Sequence, residues 1–108
     1  MTFNPDPEFP GRIRAIAEQV ESVLIIDNAS GPQGQALLTK LEPSKHLEII
    51  LNPDNVGVAT ALNIGMNRAR TLRYQWALAL DQDSDAAPNM VAELTRVIQT
   101  REWAERAA

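Results

Sequence analysis

Three carboxylates alternate at the end of an apolar run in Ala77-Leu-Ala-Leu-Asp-Gln-Asp-Ser-Asp85, and Pro88 follows closely. Oxygen ligands of this kind suit a hard divalent cation such as Mg²⁺ or Mn²⁺, which keeps coordination places for phosphate. The same acids can hold sugar hydroxyls. The run before them reads as a buried strand, so Asp81 and Asp83 stand at its C-terminal edge, where open α/β sheets bind ligands. Three other segments carry turn residues in the same way: Thr2 to Asp6 at the start, Asp27 to Ser30 after Val23-Leu-Ile-Ile26, and Asn52 to Gly57 after Leu47-Glu-Ile-Ile-Leu51. Asp27 could accept a hydrogen bond from a nucleobase or ribose, while an Asx turn would use the same carboxylate. Asp85 is read as the N-cap or first-turn acid of the final helix.

Loops can gather at one edge only if helices return the chain between parallel strands. Ile13, Ile16, Ala17 and Val20 recur at helical spacing and predict a helix over Pro10 to Val20. A short helix is expected from Gln33 to Leu41, closed by Pro43. Val58 to Leu72 carries Ala59, Leu62, Met66 and Ala69 on one stripe, and Asn89 to Trp103 carries Met90, Leu94, Val97 and Ile98. Trp76 to Leu80 is the third expected strand, with Trp76 and Trp103 on apolar faces as core residues. Thr2 and Phe3 read either as the tail of a strand or as a loose terminus. Short, almost wholly apolar strands alternating with helices call for an α/β fold, a three-layer αβα sandwich with a mainly parallel sheet.

At 108 residues the chain fits one domain, 1–108, without repeat or linker. A net charge of -4 argues against nucleic acid as the main partner, which would want clustered Lys and Arg. The absence of Cys removes thiolate chemistry and any Cys-based zinc site. No apolar stretch approaches the roughly 18 to 20 residues of a membrane span, and the N-terminus lacks a signal peptide's regions, so a cytoplasmic setting is expected. His46 has no Ser or Asp partner in the sequence pattern and is read as strand-edge structure. A calcium-binding helix-loop-helix reading of the Asp81 loop fails, because Ala86 stands where Gly is needed and Ala92 where Glu is needed. A dehalogenase-type phosphatase would place its Asp-x-Asp early in the fold, and only 25 residues follow Asp83. A receiver-like domain would need a Lys after another strand, and neither Lys40 nor Lys45 is suitably placed. Gly57 and Gly65 match neither the dinucleotide fingerprint nor the phosphate loop. They are assigned to the turn and to close helix packing.

Taken together, Thr2-Phe-Asn-Pro5, Val23-Leu-Ile-Ile-Asp-Asn-Ala-Ser30, Asn55-Val-Gly-Val-Ala-Thr-Ala-Leu-Asn-Ile-Gly65 and Leu80-Asp-Gln-Asp-Ser84 resemble the ordered motifs of inverting family 2 glycosyltransferases, most closely the rhamnosyltransferase branch. The resemblance implies the GT-A fold, here its nucleotide-binding N-terminal half, and a nucleoside diphosphate sugar donor, dTDP-rhamnose or a UDP-sugar, with Mg²⁺ or Mn²⁺. By position, Thr2 and Phe3 would flank the base and Asp27 would accept a hydrogen bond from it. Asn55 and Gly57 would shape the nucleotide pocket, Asp81 would face the ribose or donor sugar, and Asp83 would bind the metal. The implied setting is cell-surface polysaccharide synthesis, with an acceptor glycan, and membrane association in a full-length form. Family members carry a longer first strand and a second half with the catalytic base, so this chain is expected to be inactive alone. The alternative is a non-catalytic interaction module derived from the fold. Glu93, Glu102 and Glu105 are read as solvated helix acids, leaving the catalytic residue unassigned. An uncovered apolar sheet edge would favour a homo-oligomer.

Overall fold

The computed structural model describes residues 1–42 and 46–107, with side chains described to residue 100. Pro43 and Lys45 lie outside the described residues, as do the side chains of Glu102, Trp103 and Glu105. The elements run α1 (Phe9–Ala17), β1 (Val23–Asn28), α2 (Pro32–Thr39), β2 (Leu47–Asn52), α3 (Val58–Thr71) and α4 (Met90–Ala107). Both early helices begin with Pro in the first turn, where its missing N–H costs nothing.

β1 and β2 pair in parallel, with Val23 opposite Leu47 and Asn28 opposite Asn52. Alternation along the strands then sorts the core onto two faces. On one, Ile25 packs with Phe9 of α1, Leu38 of α2 and Leu41, joined by Ile13, Val23, Leu47 and Ile49. On the other, Ile26 meets α3 at Gly65. Helices therefore cover both faces of a parallel sheet, giving the expected α/β architecture. The chain start also joins this sheet. Thr2 N–H donates to the Ile26 carbonyl at 2.8 Å, and Asn28 N–H donates to the Thr2 carbonyl at 2.8 Å, a parallel bridge beside Asp27. The N-terminal segment is thus not a loose terminus, but it joins the sheet by a single isolated bridge and does not form a strand.

Several expectations need correction. Trp76 to Leu80 does not form a strand. Its composition is strand-like, but among the described residues it has no backbone ladder, and an apolar slot of about 680 Å³ separates it from β1. Strand structure needs a paired neighbour, which propensity cannot supply. Trp76 and Leu78 consequently lie about half exposed along this slot instead of in the core. The buried stripe of α3 is also rotated from the expected one. Ala61 is fully buried and Ala59 is exposed, while Leu62 and Met66 turn toward the slot. Both faces of this helix carry apolar residues, so periodicity alone left its orientation ambiguous. Finally, β1 runs two residues beyond Ile26, placing Asp27 inside the strand.

The start of α4 and the segment ahead of it are tied by polar contacts to α1 and the residues just after it. The Gln19 amide donates to the Ala87 carbonyl at 2.8 Å and accepts from Val91 N–H at 3.0 Å, satisfying a donor at the helix start. Arg12 bonds Asp6 at 2.9 Å, and its Nε lies 3.4 Å from Asp85, an ion-pair contact without hydrogen-bond geometry. The bond from Arg12 holds the Asp6 carboxyl below the usual carboxylate range. Asp85 thus faces α1 and stands ahead of α4, which starts at Met90; the cap reading does not hold.

Two glycines give opposite expectations. A methyl group on Gly34 would sit 2.9 Å from Ser30 Cβ and 3.1 Å from Pro5 Cδ, whereas on Gly65 its nearest neighbour is Ile26 at an ordinary 3.7 Å. Gly34→Ala should lose roughly 1–3 kcal/mol through overpacking. Gly65→Ala should gain up to about 1 kcal/mol by helix propensity. Urea-unfolding midpoints measured side by side check this, and a stabilised Gly34→Ala would contradict the packing.

Candidate functional site

The C-terminal ends of β1 and β2 come level at Asn28 and Asn52, and the bridge sets Thr2 beside Asp27. Three of the loops singled out by sequence are thereby fixed at one sheet edge by backbone pairing. Side chains bind them further.

Asp27 is the centre of the first knot. It is 1% exposed; its Oδ1 accepts from Thr2 Oγ1 at 2.7 Å and Ser30 Oγ at 2.6 Å, and its Oδ2 accepts from Ser30 N–H at 3.0 Å. The Ser30 hydroxyl in turn accepts from Asn4 N–H at 2.8 Å, and the Asn4 side-chain oxygen accepts from Gly31 N–H at 2.8 Å. The acid thus serves the Asx-type turn after β1 and, through Thr2, the N-terminal loop. Ala29 in this turn takes φ 62° and Asn4 in the N-terminal loop takes φ 46°, left-handed conformations that residues with a Cβ seldom adopt.

Asn28, 1% exposed, forms the second knot. Its amide donates to the Gly57 carbonyl at 3.1 Å, and its oxygen accepts from Asn52 Nδ2 at 3.1 Å and Val56 N–H at 3.2 Å. Asn55 Oδ1 accepts from Gly57 N–H at 2.9 Å, and Gly57 takes φ 84° immediately before α3. Asn55 and Gly57 therefore shape this loop through an Asx turn and a left-handed residue that favours glycine.

The fourth loop arrives through a side chain. Gln82 accepts from Phe3 N–H at 2.9 Å and donates to the Phe3 carbonyl at 3.1 Å. Ser84 N–H closes the turn onto the Asp81 carbonyl at 3.1 Å, with Asp81 and Asp83 on either side of Gln82. Both carboxylates are exposed, as is Phe3 at 43%. Asp81 also lines a cavity of about 210 Å³ together with Val58, Leu62, Leu80 and Ser84.

Among the described residues, no three His, Asp or Glu side chains converge as a ready-made metal cage. An exposed acidic pair in a turn still matches the donor set that Mg²⁺ or Mn²⁺ uses with phosphate substrates, one or two carboxylates with phosphate and water completing the shell. Glu93, read as a solvated helix acid, is exposed on α4 and pairs with Arg96 three residues on, at 2.7 Å. His46 lies at the start of β2 with Nδ1 3.1 Å from the Glu21 carbonyl. Sequence reasoning missed Asn28, Ser30 and Gln82 as site-building residues. Asn28 and Ser30 lie within a recognised turn segment, and Gln82 sits between two acids, but their partners could not be read from local pattern.

A family model described as "Glycosyl transferase family 2" matches residues 1–102. An uncharacterized glycosyltransferase of Haemophilus influenzae is 28% identical over 101 residues, covering 91% of this chain and 32% of the relative. The chain thus spans about a third of the length of the curated relative it matches. No solved structure matches it.

If the Asp27 knot holds the N-terminal loop, Thr2→Val should destabilise by about 1–3 kcal/mol, since it leaves a buried acceptor short of a donor. Thr2→Ser should retain most of the stability. Chemical denaturation distinguishes the pair; equal midpoints for Val and wild type would remove Thr2 from the network.

Proposed function

The chain belongs to glycosyl transferase family 2, and on that premise we propose that its sheet edge is the donor site of a glycosyl transferase, binding a nucleoside diphosphate sugar with a divalent cation. The observation that carries the reading is the joining of four loops by hydrogen bonds at the ends of parallel strands, with exposed Asp81 and Asp83 beside Phe3. In this proposal the base lies against Thr2 and Phe3, with Asp27 behind them. Asp27 is buried and already accepts three hydrogen bonds, so a bond to a base requires the covering loop to part and would go to Oδ2, which takes only one of them.

Asn55 and Gly57 border the nucleotide, and Asp81 faces the ribose or the donor sugar beside the small cavity that it lines. Asp83 would hold Mg²⁺ or Mn²⁺. When bound, the ion would act as a Lewis acid, offsetting negative charge on the departing diphosphate. The chain's own contribution is to hold the donor's two ends on a sheet edge whose loops are cross-linked before it arrives. The resemblance in the motifs favours dTDP-rhamnose, with a UDP-sugar as the alternative donor, and a role in polysaccharide synthesis in the cytoplasm. Proton removal from the acceptor hydroxyl requires a base, and no residue here is assigned to it.

Titration of the protein with dTDP and UDP, with and without Mn²⁺, tests the donor site. Metal-dependent binding that disappears in Asp83→Ala is the expected result. Absence of binding by either nucleotide at about millimolar concentration, the weak end of the affinity scale, would sink the reading and favour an interaction module.

Trp76, Leu78, Leu94 and Val97 are each at least 42% exposed, and Leu78 and Leu94 line the slot beside β1. Apolar surface of this kind supports self-association. We expect a dimer or larger assembly by light scattering, dissociated by Leu78→Asn; a monomeric mass at every concentration would overturn this.

A further inference from the structure

Gln82 stands between the two acids, yet its side chain is committed elsewhere. Its amide bonds both backbone groups of one residue, accepting from Phe3 N–H at 2.9 Å and donating to Phe3 C=O at 3.1 Å. A side-chain amide here does what a neighbouring strand's peptide group would do. A carboxylate of the same length lacks the donor, an ammonium lacks the acceptor, and Asn is a methylene shorter. The pair of bonds therefore calls for Gln in particular.

The tie matters because little else secures the acidic turn. The preceding run from Trp76 to Leu80 has no backbone ladder among the described residues, and Ser84 N–H bonds within the turn itself. The remaining links nearby are the Arg12–Asp85 ion pair at 3.4 Å and, two residues further on, the Gln19 bond to the Ala87 carbonyl at 2.8 Å, both downstream of the acids. From Gln82 the connection continues through the backbone of Phe3 to Thr2, and from the Thr2 hydroxyl to Asp27 at 2.7 Å. One chain of hydrogen bonds thus runs from the end of β1 to the backbone between Asp81 and Asp83.

Resting on the donor-site reading above, we propose that Gln82 is a positioning residue that sets the spacing between the base-binding and diphosphate-binding ends of the site. It touches neither end of the ligand. It holds Phe3, on the base side, at a fixed distance from the turn bearing Asp81 and Asp83, so that one rigid nucleoside diphosphate engages both at once. Linked binding of this kind gains affinity through effective concentration and loses it when the geometry loosens.

The test compares the whole ligand with its parts. Gln82→Met keeps length and volume while deleting both hydrogen bonds. For dTDP or UDP with Mn²⁺, whichever the wild type binds, it should weaken binding about ten-fold, the order expected for two lost hydrogen bonds. Binding of Mn²⁺–pyrophosphate and of the bare nucleoside should change less than about two-fold, because neither fragment needs the spacing. Unchanged binding of the nucleoside diphosphate overturns the proposal. So does an equal loss for the fragments, which would mark general loosening of the fold. Should Gln82→Met fail to fold, hydrogen exchange at the Phe3 amide of the wild type decides: protection that rises further with Mn²⁺–nucleotide supports the tie, and exchange at the rate of a free amide overturns it. Failure of the wild type to bind any nucleoside diphosphate would instead defeat the donor-site reading itself.

Discussion

A carboxylate removed from water must be given hydrogen-bond donors, and at Asp27 that requirement organises the whole sheet edge. Its donors come from the turn that follows and from the chain start, so satisfying it draws the N-terminal segment alongside β1. Asn28 continues the pattern on the other side, spending its amide on the loop after β2. Two adjacent buried polar residues at a strand end would destabilise a core if left alone. Here they convert a strand terminus into the junction of three loops, and the acidic turn joins through Phe3.

The helical alternation was legible because it is local. Periodicity marks α1, α2 and α4 to within a few residues, and the β-branched runs mark β1 and β2. What failed depends on neighbours. Trp76 to Leu80 has the composition of a strand, yet a strand exists only as one side of a ladder. α3 presents two apolar faces, Ala59 with Leu62 and Met66 on one and Ala61 with Gly65 on the other, and only the sheet determines which is buried.

The site was legible at a similar level. Strands ending in Asp, Asn and Gly identified the right loops, since turn chemistry is written in residue type. The connections between loops were not, because they pair residues far apart in sequence: Asn28 with Gly57, Asn4 with Ser30, and Gln82 with Phe3. A glutamine between two aspartates looks like a spacer until its partner is known. Gly34 is similar: its value lies in the room it leaves for Ser30 and Pro5, so α2 can abut the turn that Asp27 supports.

These connections differ greatly in the length of chain they close. The Thr2–Asp27 bond spans 25 residues and the Gln82–Phe3 bonds span 79, whereas β1 and β2 are joined through a short helix. Closing a longer loop forfeits more chain entropy, about 0.6 kcal/mol for each doubling. The unit from β1 to β2 therefore forfeits less chain entropy in closing than the docking of the acidic turn onto Phe3 does. Brief opening of that turn leaves the paired strands intact, which makes the site's entrance a region of local breathing on a stable base.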